Sequence, residues 1–226
     1  GGMPMKCRKM TGKGELTVLP KFVGDSLPKG ETGLGVVLLE EPGSLKEATT
    51  QEALQRGTVV CIVVQNKQVE GEDFVDIVRH YKQLDTVYMN NCHLGISGGQ
   101  QMARALDHLT TLFMRRNDIR DGGLSTMSAA LHGNRTLKVL GLVSESFTSV
   151  GARALAGALQ TNTTVQLIDI SGNSIGQDGA KEIAFALKRN SGNALKTLVM
   201  DSEYGGISKG EAQGLLRAWM LQYSIQ

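Results

Sequence analysis

The sequence predicts an α/β solenoid, a stack of units that each pair one short parallel strand with one helix. Three observations predict it. An apolar pattern recurs every 25 to 30 residues. A stretch with helical apolar spacing follows most copies. Glycine is abundant, at 28 of 226 residues, while proline is scarce at 4, which suits many tight turns between regular elements rather than low complexity. The hydrophobic share of 41% is enough to bury a core and excludes wholesale disorder.

The strands come first in each unit. Leu109, Leu112, Met114, Asn117 and Ile119 fit the pattern Leu-x-x-Leu-x-Leu-x-x-Asn-x-Leu at every position, and so do Val165, Ile168, Ile170, Asn173 and Ile175. Leu84, Val87, Met89 and Leu94 fit with Cys92 in the place of the asparagine. Leu137, Leu140, Leu142 and Phe147 fit with Glu145 there. Leu195, Leu198 and Met200 begin a further copy, with Glu203 in that place. Val59, Ile62, Val64 and Val69 make a weaker copy, and Leu34, Val37 and Leu39 a weaker one still. Copies therefore start at 34, 59, 84, 109, 137, 165 and 195. Where Lys67, Glu145 or Glu203 replaces the turn asparagine, its hydrogen-bonded ladder is expected to be irregular. Cys92 is expected to be buried and inert.

The helices follow. Gly98-Gly99 leads to Met102, Ala105 and Leu106, and Gly122-Gly123 leads to Met127, Ala130 and Leu131. Gly151-Ala152 leads to Leu155, Ala158 and Leu159, and Gly179-Ala180 to Ile183, Ala186 and Leu187. This spacing of three and four gives a helix one buried stripe. Asn134, Asn162 and Asn190 stand after these helices, where asparagine suits a C-terminal cap. Ser44 and Glu47 form a capping box, and Gly57 closes that helix. The ends of a solenoid need covers, because a terminal repeat has no neighbour. Residues 15–39 are expected to cover the front. A last helix near 209–222, with Trp219, is expected to close the back.

These motifs resemble leucine-rich repeats of the ribonuclease-inhibitor-like type, most clearly over residues 59–223. The resemblance implies a horseshoe of about six to seven repeats, with parallel strands on the concave face and helices on the convex face. It divides the chain into a basic N-terminal arm and capping segment, 1–33, and a repeat domain with its C-terminal capping helix, 34–226. It says little about function, since one such scaffold hosts inhibitors, sensors, actin regulators and GTPase activators.

Side chains alternate across a strand. If the pattern leucines point into the core, the residues between them line the concave face. The row runs Cys61, Val63, Gln65; Thr86, Tyr88, Asn90; Thr111, Phe113, Arg115; Val139, Gly141, Val143; Leu167, Asp169, Ser171; Thr197, Val199, Asp201. Val63, Tyr88 and Phe113 share a column on successive strands, about 4.8 Å apart, with Arg115 and Arg116 beside them. An apolar and aromatic strip flanked by arginine has the composition of a protein-binding hot spot. Val63, Thr86, Tyr88, Asn90, Thr111, Phe113, Arg115 and Arg116 are therefore the expected partner-binding residues, unless the chain's own beginning covers them.

The expected function is a non-catalytic protein–protein interaction scaffold, or a subunit of a larger assembly, with a protein partner. One alternative is a GTPase-activating protein resembling the Ran activator. That family's long acidic tail is not in this sequence, and no activator motif carries a residue over. Another is a ribonucleoprotein subunit, because residues 1–30 hold Lys6, Arg8, Lys9, Lys13, Lys21 and Lys29 against Glu15 and Asp25. Nucleic-acid contact through this arm is not favoured, since no aromatic in its first twenty residues offers a stacking platform. The net charge of +2 is too small to imply a polyanionic partner by itself.

Other chemistry is not expected. Gly95-Ile-Ser97-Gly-Gly99 matches a nucleophile elbow, but Ser97 comes after the repeat's turn rather than at a strand end. His80, His93, His108 and His132 lack metal-ligand spacing. Glu40 and Glu41 have no convergent cleft. Cys7, Cys61 and Cys92 are an odd set at wide spacing, so neither a disulfide framework nor a zinc site is encoded. No cofactor is expected. No apolar stretch is long enough to span a bilayer, and a cytoplasmic or other intracellular setting is expected. Asn134-Arg-Thr136 and Asn162-Thr-Thr164 read as glycosylation sequons, though capping and turn chemistry explain them better.

Overall fold

The computed structural model describes residues 36–39, 61–65, 74–75, 78–79 and 84–200, all within one compact unit, Leu34–Gln226. The N-terminal arm, the Ser44 capping box, Lys67, Glu203 and the Trp219 helix lie outside the described residues. Seven strands form one sheet in chain order: β1 (Val36–Leu39), β2 (Cys61–Gln65), β3 (Thr86–Asn90), β4 (Thr111–Arg115), β5 (Val139–Val143), β6 (Leu167–Asp169) and β7 (Thr197–Val199). Every neighbouring pair is parallel and pairs residues one repeat apart, so that Val87 lies beside Leu112, Leu140 and Ile168 in turn. Among the described residues, four helices return the chain between β3 and β7: α1 (Gly95–Ala103), α2 (Arg120–Gly133), α3 (Ser149–Leu159) and α4 (Gly176–Arg189). Among the described residues this is an α/β solenoid.

The core lies between sheet and helices. Val87, Met89, Leu112, Met114, Leu140, Leu142 and Ile168 enter it from the strands, and Met102, Met127, Leu155 and Ile183 from the helices. Each such side chain contributes about 2 kcal/mol by leaving water. The helices approach closely because small residues face one another. A Cβ added at Gly99 would lie 2.9 Å from the Gly123 Cα and 3.0 Å from the Ile119 Cβ.

The difference between the repeats that start at Leu84 and at Leu109 has one structural cause. The repeat starting at Leu84 has no Asn-x-Thr extension, so α1 ends at Ala103 and the chain closes through a 3-10 turn, Leu106–His108. The longer repeats insert Asn134-Arg-Thr136 or Asn162-Thr-Thr164. Asn134 and Asn190 do cap α2 and α4, but the asparagines also bond between repeats. Asn162 Nδ2 donates to Leu131 O at 2.8 Å and Asn134 O at 3.2 Å. Asn190 Nδ2 donates to Leu159 O at 2.8 Å and Asn162 O at 2.7 Å. Asn134 and Asn162 are thus buried hydrogen-bonding residues, which is poor geometry for a glycan acceptor.

Helix starts are also shared between repeats. Asp121, on α2, accepts from Thr148 N at 2.8 Å, Thr148 Oγ1 at 2.9 Å and Gly151 N at 2.8 Å. It therefore satisfies orphan donors at the N-terminus of α3, where a carboxylate also suits the helix dipole. Thr148 itself caps α3 by accepting from Val150 N. Asp121→Ala is expected to cost about 1–2 kcal/mol, read from the urea midpoint at neutral pH. An unchanged midpoint would show that Thr148 suffices.

Candidate functional site: the sheet face opposite the helices

The alternation expected along the strands is present. In β3, Val87 and Met89 are buried while Thr86, Tyr88 and Asn90 are partly exposed. Register assembles three columns on the outer face. The first runs Thr86, Thr111, Val139, Leu167, Thr197; the second runs Tyr88, Phe113, Gly141, Asp169, Val199; the third runs Asn90, Arg115, Val143. The structure thus brings the expected partner-binding residues of β3 and β4 together, with the β2 backbone at Val63 beside Tyr88. The Tyr88 and Phe113 ring centroids are 6.2 Å apart at 37°.

Phe113 departs from the expectation of an exposed strip. It is only 5% exposed, though it is not part of the core cluster. Its ring lies over the bare backbone of Gly141, where an added Cβ would overlap Cδ2 and Cε2 and fall 2.7 Å from Cγ. Val139 is buried on the same side. Tyr88, Thr86, Thr111, Asn90 and Arg115 remain partly exposed, and Arg116 is exposed. Farther along, Asp169 Oδ1 accepts from Ser171 N and Ser171 Oγ at 3.0 and 2.7 Å.

The rim is built by the strand-to-helix loops, which alternate through the left-handed region. Arg116, Asp118 and Arg120 have φ of 55°, 58° and 55°. At the place of Arg120, the loops before α1 and α4 carry Gly95 and Gly176, at φ 61° and 60°. A side chain there is displayed at some cost in strain. Arg120 Nη2 donates to Asp118 Oδ2 at 2.6 Å, and this bond holds the Asp118 carboxyl below its usual range. The rim thus presents Arg116 and an Arg120–Asp118 pair. Arg120 was not among the expected site residues, although its alignment with two glycines marks it in the sequence.

The turn asparagines form a ladder beneath this rim. Asn117 Oδ1 accepts from Cys92 N at 2.8 Å, and Asn173 Oδ1 accepts from Glu145 N at 2.8 Å. Their Nδ2 groups donate back one repeat, to Met89 O at 3.2 Å and Leu142 O at 2.7 Å. The expectation of irregularity at Glu145 holds for one half of the ladder. Its carboxyl accepts from Asn117 N where an asparagine oxygen would, but it has no N–H to donate back and accepts from Asn117 Nδ2 instead. Cys92 is buried and supplies the donor half instead, its thiol pointing to Val64 O at 3.5 Å and Asn90 O at 3.4 Å.

Ser97 is exposed in the first turn of α1. His93, His108 and His132 are exposed, and Thr161 Oγ1 lies 3.0 Å from His132 Nδ1. Among the described residues, no three His, Cys, Asp or Glu gather as metal ligands. No helix among them is long and apolar enough to cross a membrane.

The family comparison agrees with this repeat geometry. A family model described as "Leucine Rich repeat" matches residues 106–128 and 161–184. The chain thus contains leucine-rich repeats. Among solved structures, this leucine-rich-repeat chain is similar to "Leiomodin-1 Actin-Binding Site 2 (ABS2)". The TM-score is 0.51 and the identity 21%, over 68% of this chain and 91% of the other. At that identity the likeness concerns the fold alone. No curated protein sequence matches the chain.

Proposed function

We propose that this leucine-rich-repeat protein is a non-catalytic interaction module that recognises a protein partner on the sheet face opposite its helices. The observation that carries the reading is the register of β2 to β4, which gathers Thr86, Tyr88, Asn90, Thr111 and Arg115 into one surface beside the β2 backbone at Val63. A partly exposed tyrosine tilted against a ring that is itself buried, with Arg116 at the edge, is the kind of anchor on which binding energy concentrates. Rigid strands also keep the ordering cost of binding low. One strand and one full helix per repeat supports the ribonuclease-inhibitor-like form, in which the strands line the inner curve. The same reading assigns residues 1–33 to an arm and cap before the repeats.

Tyr88→Ala/Arg116→Glu is expected to reduce partner recovery at least about tenfold when the tagged chain is purified from its own cell. Two such anchors are together worth about 2–4 kcal/mol. Phe185→Ser, on the exposed side of α4, serves as the control and should leave recovery unchanged. Equal recovery with the folded double variant would rule out this face.

A further inference from the structure

Glu145 is 0% exposed, and three N–H groups of the preceding repeat converge on its carboxyl. Asn117 N reaches Oε2 at 3.1 Å, Asn117 Nδ2 reaches Oε1 at 3.0 Å and Ile119 N reaches Oε2 at 3.4 Å. Among the described residues, no cation stands within ion-pair distance of the Glu145 carboxyl. The charged groups on the adjoining loops and strands are Arg115, Arg116, Asp118 and Arg120 before it and Asp169 after it. Of these, Asp118 bears on the Glu145 proton, as a like charge.

The observed contacts suit a carboxylate, which accepts only. A protonated carboxyl would set an O–H against the Asn117 Nδ2 donor. That hydroxyl would have to turn to a carbonyl instead, as the Asn117 and Asn173 amides do at equivalent places. The two protonation states therefore bond the same pair of repeats differently.

We propose that Glu145 is a proton-controlled pin between the repeats of β4 and β5. Ionised, it grips the Asn117–Ile119 loop; protonated, it bonds as the ladder asparagines do and frees the Asn117 side-chain donor. Because that loop lies between Arg116 and Arg120, proton uptake alters how the rim presents both cations. Burial is the main influence on the carboxyl and, against the opposing hydrogen bonds from Asn117 and Ile119, pushes it up to about 7, within reach of physiological pH.

The test is a carboxyl ¹³C and amide ¹⁵N NMR titration of the full chain from pH 4 to 9, with Glu145→Gln to assign its signal. The Glu145 carboxyl is expected to titrate between about pH 6 and 8, and the Asn117 N–H and Nδ2 resonances to move with the same midpoint. A midpoint below 5, or Asn117 resonances that stay still through the Glu145 transition, would overturn the proposal. Should Glu145→Gln not fold, the Asn117 resonances of the wild type decide alone.

Unfolding gives a second reading. A carboxyl held above its ordinary value binds its proton more tightly in the folded chain. The stability this contributes is complete below about pH 4.5 and is lost as pH rises through about 7. The wild-type unfolding constant is expected to rise by up to about a hundredfold over that range relative to Glu145→Gln. Parallel pH profiles for the two proteins would also overturn the proposal.

Discussion

Asn117→Ala is expected to lower stability by about 3–5 kcal/mol, a larger loss than truncating an exposed residue of the sheet face. The reason is the number of buried groups that one amide serves. Its oxygen accepts from Cys92 N, and its Nδ2 donates to Met89 O, Arg115 O and Glu145 Oε1. Alanine leaves the Cys92 N–H and one oxygen of a buried carboxyl without this partner, and water has no ready path to either. Each buried polar group so abandoned costs about 1–3 kcal/mol. Cys92→Ala is the contrasting case. Its two thiol contacts are long and weak, so its loss should stay near about 1 kcal/mol. Asn117→Asp separates the two halves of the role. It keeps the acceptor for Cys92 N but sets a second carboxylate against Glu145, so its deficit should grow with pH. Urea unfolding followed by circular dichroism, at pH 5.5 and pH 8.5, reads all three. A loss below about 1 kcal/mol for Asn117→Ala would mean that neighbouring repeats hold the ladder without it.

What the sequence discloses here follows from the geometry of a stack. Parallel strands in register place residues one repeat apart side by side. The period alone is therefore enough to put Thr86 beside Thr111 and Tyr88 beside Phe113. Helix existence was legible for the same reason, through the stripe of Met102, Met127, Leu155 and Ile183. Contacts whose value depends on the next repeat's residue type were not legible. Asn134, Asn162 and Asn190 look like caps of their own helices, and only coordinates show Asn162 and Asn190 reaching back across a repeat. Glu145 looks like a break in the asparagine pattern, because a carboxylate lacks the donor; its acceptor half still fits, since the loop before it offers N–H groups. The site was legible as a row of positions but not as exposures. Phe113 and Tyr88 alternate identically with the core residues, yet only Phe113 has a glycine beside it in the next strand.

That glycine decides the second large effect. Phe113→Ala is expected to cost about 2–4 kcal/mol, although its side chain lies outside the core cluster. A ring that is 5% exposed has given up nearly all its contact with water, and alanine would leave Gly141 and one side of Tyr88 uncovered. Tyr88→Ala, at a partly exposed position, should cost about 1 kcal/mol or less while weakening partner capture. The two residues of one column thus divide the work, Phe113 supporting the surface from which Tyr88 projects. Gly141→Ala attacks the same arrangement from below. Its Cβ would occupy space now held by the Phe113 ring, so the ring must swing outward into water, at about 1–3 kcal/mol. Once Phe113 is alanine, there is no ring left to expel. The double variant Phe113→Ala/Gly141→Ala should therefore be little worse than Phe113→Ala alone, with a coupling of about 1–2 kcal/mol in a urea double-mutant cycle. Additive losses would mean that Phe113 does not rest on Gly141, and that its burial comes from elsewhere in the chain.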